Sequence, residues 1–124
     1  RAAEVPVEGP WVTEKDLPGG SQFFRGPHAL PLQPLLARFG GDPPAFRRAA
    51  EALGGSSLPY GDAAYGVTAL PRIPAGCVLW AADDEFPARF NMLFDRSLAR
   101  HLPLDAVLAL VHCLGLRLLE AAGA

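Results

Sequence analysis

From Leu104 to Leu119 the apolar residues recur with the period of an α-helix. Leu104, Val107, Leu108, Val111, Leu114, Leu118 and Leu119 share one wide face, while Asp105, His112, Arg117 and Glu120 lie on or near the opposite one. Pro103 suits the first turn, and Asp105 sits where the helix dipole favours an anion. A helix this apolar must be covered, and in a chain of 124 residues the cover is the rest of one domain. The longest apolar run, Ala106–Leu119, is interrupted by His112 and Arg117 and is too short to cross a bilayer.

The cover is expected to be a sheet. Phe86–Phe94 alternates, with Phe86, Ala88, Phe90, Met92 and Phe94 on one face and Pro87, Arg89, Asn91 and Leu93 on the other, which predicts a half-buried strand. Gly76–Ala82 is continuously apolar around Val78, Leu79 and Trp80, and predicts a strand covered on both faces. Asp83-Asp84-Glu85 would join the two as a hairpin. Ala64–Leu70 is a third candidate strand, followed by a turn or irregular edge at Pro71-Arg72-Ile73-Pro74. Near the N-terminus, Trp11–Asp16 reads as a short strand, Leu17-Pro18-Gly19-Gly20 as a tight turn, and Gln22–Arg25 as the returning strand, broken by Gly26-Pro27-His28.

Two short helices complete the set. One runs from Pro31 or Pro34 to Phe39 and stops at Gly40-Gly41. The other, Pro43–Leu53, has Asp42 as N-cap, Phe46, Ala49, Ala50 and Leu53 on one face, and Gly54-Gly55 as its stop. The expected fold is therefore α+β: an antiparallel sheet of about three to five strands, a long C-terminal helix packed on one face, and two short helices. Residues 1–10 read as a linker or tail and 11–124 as a single domain; because the chain starts at Arg1, an N-terminally truncated chain is expected.

Charge narrows the partners. With 11 basic and 13 acidic residues the formal net charge is −2, and no basic stripe is present, which argues against nucleic-acid binding by phosphate neutralisation. No signal peptide is apparent, so a cytoplasmic protein without membrane attachment is expected. Cys77 and Cys113 have no metal-ligand spacing and form no C-x-x-C; both are expected to be small buried residues.

A set of motifs runs through the chain in order. It comprises Trp11-Val12, Leu17-Pro18-Gly19-Gly20, Phe24-Arg25-Gly26-Pro27, Gly61-Asp62-Ala63, Ala69-Leu70-Pro71-Arg72-Ile73-Pro74, Trp80 with Asp84-Glu85-Phe86-Pro87-Ala88, Leu93-Phe94-Asp95-Arg96-Ser97 and His101-Leu102-Pro103. This order resembles the domain of unknown function family numbered 3786, over about residues 11–119. The resemblance implies an intracellular accessory context without an established reaction. Members are usually longer at the N-terminus, which implies a missing first segment. Relatives commonly carry Glu-Gly after the Trp, where this chain has Ala81-Ala82. Some are fused to an iron–sulfur module of the kind found with corrinoid proteins of anaerobes; this chain has no cysteine set for such a cluster.

Several groups offer chemistry. Arg25 and His28 flank Gly26-Pro27 on a loop, where an arginine could clamp a carboxylate or phosphate and a histidine could act as a base. Asp83, Asp84 and Glu85 could hold a hard cation through oxygen, but lack EF-hand spacing; a solvated hairpin tip is the simpler expectation. Asp95 and His101 could pair, with Ser97 close in sequence but outside any G-x-S-x-G context. His112 is expected to face solvent or a partner. The Gly-Gly pairs at 19–20, 40–41 and 54–55 do not fit phosphate loops. Phe23, Phe24, Trp80, Phe90 and Phe94 are expected in the core rather than in a stacking surface.

These features favour a non-catalytic accessory domain that binds a small ligand or cofactor of unknown identity, through Arg25, His28, Asp84 and Glu85. The alternatives are a small enzyme built on the Arg25/His28 loop and the acidic Asp84-Glu85 loop, and a protein–protein interaction subunit. No catalytic residue and no metal ligand is assigned. An unpaired sheet edge or an exposed apolar helix face would be covered by another chain, in a homo- or hetero-oligomer.

Overall fold

The computed structural model describes residues 11–69 and 73–123; at 69, 99 and 100 the backbone alone is considered. Five strands among these residues form one antiparallel sheet in the order β1-β5-β4-β3-β2. They are β1 (Trp11–Val12), β2 (Ser56–Ser57), β3 (Ala63–Ala69), β4 (Ile73–Trp80) and β5 (Arg89–Asp95). Four α-helices accompany them: α1 (Gly20–Phe23), α2 (Gln33–Phe39), α3 (Pro43–Ala52) and α4 (Leu104–Ala121). The expected α+β fold with a long C-terminal helix is the fold observed.

One face of the sheet meets the helices. Phe90, Met92 and Phe94 of β5, Ala75, Cys77 and Leu79 of β4, and Tyr65 and Val67 of β3 are buried there with Val107, Leu110, Val111, Leu114 and Leu118 of α4. The polar side of α4, with Asp105, His112, Arg117 and Glu120, is exposed. Phe46 of α3 is fully buried and joins the layers. Its ring centroid lies 5.6 Å from Phe39, 5.7 Å from Tyr65 and 5.5 Å from Phe90. Asp42 caps α3, its carboxylate accepting from the Ala45 amide at 3.3 Å.

The second face of β4 is covered by a loop rather than a helix. Gly66 and Gly76 are register partners, and Leu58 lies over both. A Cβ on Gly66 would come 3.7 Å from Leu58 Cδ1, and one on Gly76 would come 3.5 Å from it. Further along, Gly61 packs against Val78, which is fully buried. Gly61 has φ +54, and a Cβ there would come 2.8 Å from the Leu79 carbonyl oxygen. Only glycine meets both the backbone sign and the close approach. The continuous apolar run of β4 thus reflects cover on both sides.

Three expectations are corrected. Gln22–Arg25 is not a returning strand: Gly20–Phe23 forms a helical turn, and β1 pairs instead with β5, through Trp11↔Asp95 and Val12↔Phe94. Phe23 and Phe24 are adjacent and give no alternation, and a Cβ at Gly20 would collide with the Glu14 carbonyl oxygen, so this segment folds onto the Glu14–Asp16 turn. β5 starts at Arg89, not Phe86, and Phe86 is 60% exposed. The Asp83 carboxylate accepts from the Glu85 and Phe86 amides at 2.9 and 2.7 Å, and Pro87 has no N–H to donate, so Phe86 and Pro87 do not join the ladder. Cys77 is buried but Cys113 is exposed on α4, and both are free thiols. The linker reading of residues 1–10 lies outside the described residues, as do Pro71 and Arg72 of the expected Pro71-Arg72-Ile73-Pro74 turn; Ile73 and Pro74 are not part of a turn but begin β4, paired with Ala69 and Thr68. No helix among the described residues is long and apolar enough to cross a membrane.

Candidate functional site

Arg25 and His28 belong to an exposed single turn of 3-10 helix, Gly26–His28, with Arg25 as its N-cap residue. The His28 ring stacks on Phe23, with centroids 4.5 Å apart and an interplanar angle of 7°. Stacking fixes the ring plane against the edge of α1 and leaves its nitrogens at the surface. Asp84 and Glu85 are exposed in the β4–β5 turn. No hydrogen bond or ion pair joins the two loops among the described residues, and neither loop lines any of the cavities described below.

The acidic turn is held by Asp83. Its carboxylate is pulled below the ordinary range, first by the Phe86 amide and then by the Glu85 amide, both of which donate to it. An oxygen committed to two amides has less to offer a cation. No group of three or more His, Cys, Asp or Glu able to hold a metal forms among the described residues.

Three other chemistry-bearing residues share one cavity. Asp95 closes β5, the Arg96–Arg100 turn follows, and His101 is the C-cap of that turn. Asp95, Ser97 and His101 line one cavity of about 290 Å³ together with Ile73, Pro74 and Leu98. The placement follows from local structure. The Asp95 carboxylate accepts from the Ser97 amide at 3.1 Å, capping the turn and holding Ser97 beside it. The turn brings His101 back to the same side, and the His101 amide donates to the Leu98 carbonyl oxygen at 2.9 Å. Ile73 and Pro74 come from the start of β4, which the register Ala75↔Phe94 places beside the end of β5. The cleft therefore has an apolar wall from one strand and a polar rim from the next connection. Asp95, Ser97 and His101 stand within seven positions and could be weighed from sequence; Ile73 and Pro74 join them only through the register, which no local signal announces.

Two smaller or more open features lie elsewhere. A shallow depression of about 80 Å³ between α2 and α4 has His112 on its rim. An open groove of about 330 Å³ runs between Leu30–Leu36 and the start of β5.

The Ala81-Ala82 pair also has a definite place. The Ala81 amide donates to the Asp62 carboxylate at 2.7 Å, a contact that uses only backbone at position 81.

The family model described as domain of unknown function (DUF3786) matches residues 1–117. The chain belongs to this family, and the match includes residues 1–10. No curated protein and no solved structure matches the chain.

Proposed function

We propose that this family member is a non-catalytic accessory domain that binds a small ligand in the cleft between the start of β4 and the β5–α4 connection. The observation that carries this is the meeting of Asp95, Ser97 and His101 with the apolar Ile73, Pro74 and Leu98 around about 290 Å³. An apolar wall with a few convergent polar groups is the usual make-up of a small-molecule site. The Ser97 hydroxyl and the His101 imidazole each donate and accept, and Asp95 adds a negative charge. The ligand this suits is small, partly apolar, and carries hydrogen-bond donors or a cationic group.

Ser97 and His101 are also residue types of acyl transfer. Binding is the better reading, because the Asp95 carboxylate is engaged with the Ser97 backbone, and no hydrogen bond links His101 to Asp95 or Ser97 among the described residues. A triad needs the base oriented on the nucleophile. Arg25, His28, Asp84 and Glu85 are secondary candidates in this proposal, as separate surface groups. A cytoplasmic setting belongs to it too, in keeping with two thiols left unpaired.

The test is native mass spectrometry of the protein purified from its own host without dialysis, beside the Ser97→Ala/His101→Ala double variant. The expected result is an added small-molecule mass on the wild type that the variant loses. A bare wild-type mass, or an adduct that the variant keeps, overturns the assignment.

A further inference from the structure

The cleft between the start of β4 and the β5–α4 connection carries one sign of charge. Asp95 is the one carboxylate in its lining, and no lysine or arginine joins it there among the described residues. Arg96, next in sequence, is exposed and outside the lining. Asp95 itself is half-buried. Its Oδ1 accepts from the Ser97 amide at 3.1 Å, whereas its Oδ2 takes no hydrogen bond and no ion pair among the described residues. Partial removal from water strengthens a charge's pull on an opposite charge, so an open carboxylate oxygen on a cavity wall is best answered by a cation.

The neighbours narrow the kind of cation. The hydroxyl of Ser97 and a neutral imidazole at His101 each add an acceptor. Three acceptor groups in one lining match the three N–H donors of a primary ammonium. A quaternary ammonium has no N–H and relies on aromatic faces, and no Phe, Tyr or Trp lines the cavity among the described residues. A carboxylate or phosphate ligand would meet Asp95 and find no guanidinium to clamp it. Leu98, which is 4% exposed, forms an apolar wall with Ile73 and Pro74 that an alkyl chain can cover. A cavity of about 290 Å³ is at the small end of ligand sites, which keeps that chain short.

We infer that the cleft takes a small primary alkylammonium, whose N–H groups donate to Asp95, Ser97 and His101 and whose chain lies on Ile73, Pro74 and Leu98. This rests on the reading of the cleft as a ligand site and adds the class of ligand. Asp95 then has two separate duties. Its Oδ1 fixes the turn that carries Ser97, and its Oδ2 is left for the ligand. Asparagine at this position separates them, because a side-chain amide oxygen still accepts from the Ser97 amide while the negative charge is gone.

The test uses four probes that share one alkyl chain: pentylammonium, pentyltrimethylammonium, pentanoate and 1-pentanol. Each is titrated at pH 8 into the ¹⁵N-labelled full chain, and the amides of Ile73, Ser97, Leu98 and His101 are followed. Pentylammonium should shift these amides, and the other three should bind at least tenfold more weakly. Asp95→Asn should weaken pentylammonium at least tenfold and leave 1-pentanol unchanged, with the rest of the spectrum as in the wild type. No shift with pentylammonium, equal affinity for pentanoate or pentyltrimethylammonium, or wild-type affinity in Asp95→Asn would each overturn the ammonium assignment. The native mass spectrum keeps the two levels apart. A wild-type adduct whose released molecule lacks an amine overturns the ligand class alone, whereas a bare wild-type mass overturns the underlying ligand site as well.

Discussion

The carboxylate of Asp62 accepts a 2.7 Å hydrogen bond from the amide of Ala81, nineteen residues further on. The same residue donates its own amide to the Leu79 carbonyl oxygen at 2.9 Å, and its carbonyl oxygen accepts from Arg47 Nη2 at 2.7 Å. One residue thus ties the loop over the second sheet face to the end of β4 and to α3.

Replacing Asp62 with Ala should cost about 1–2 kcal/mol, the usual range for a hydrogen bond to a charged group partly open to water. Urea unfolding checks this, and the slope should stay unchanged while the midpoint falls. Asp62→Asn should cost less, because the amide oxygen can still accept from Ala81. Equal losses in both variants would show that the charge, rather than the bond, holds the loop.

Glycines at two helical positions should respond to alanine with opposite signs. Gly115 is buried inside α4, and a Cβ there would sit 3.5 Å from Leu35 Cδ1, an ordinary contact. Gly115→Ala should raise stability by about 0.5–1 kcal/mol through helix propensity. At Gly20 the added Cβ meets the Glu14 carbonyl oxygen, and Gly20→Ala should lower the melting temperature. Thermal unfolding of the two variants side by side decides both.

The two thiols should react on different timescales. Burial alone pushes the Cys77 thiol up to about 12, and its Sγ sits 3.6 Å from Met92 Sδ inside the core. Cys113 is exposed on α4. At pH 8 a thiol reagent should label one site quickly in the folded protein and two in denaturant, since the thiolate is the reactive form. Rapid labelling of both in the native state would mean that β4 and β5 separate easily.

The β4–β5 turn should resist acid. Asp83 is held below its ordinary value of 3.8 because the Phe86 and Glu85 amides donate to the charged form. A depressed carboxylate contributes stability above its unfolded value and loses it only as pH falls through the folded one. The Glu85 and Phe86 amides should therefore keep their shifts as pH drops to 3.8 and change only below it. Asp83→Ala should remove this transition and speed exchange at both amides, even at neutral pH.

Sequence periodicity sufficed where an element packs by its own pattern. α4 and α3 lie where the apolar spacing puts them, and Asp42 caps α3 as its position suggests. Phe90, Met92 and Phe94 face the core as the alternation requires. The pattern failed where a distant partner or a local cap decided the matter. Trp11 and Val12 pair with the end of β5, so Gln22–Arg25 had no strand to join. Phe86 continues the alternation in sequence, but the Asp83 carboxylate takes its amide into a turn. Asp95, Ser97 and His101 were visible as residues, while their cavity depends on Ile73 and Pro74 across the sheet.

The pairing of Trp11 with Asp95 also sets an order of events during synthesis. The first described strand has its ladder partner in the last strand of the sheet. Hairpins β3–β4 and β4–β5 join neighbours in sequence and can close as they emerge, whereas β1 must wait until residue 95 is made. Until then Trp11 and Val12 have no ladder partner, and the outer flank of β5 cannot be sealed at Phe94 and Asp95 before that strand itself is made.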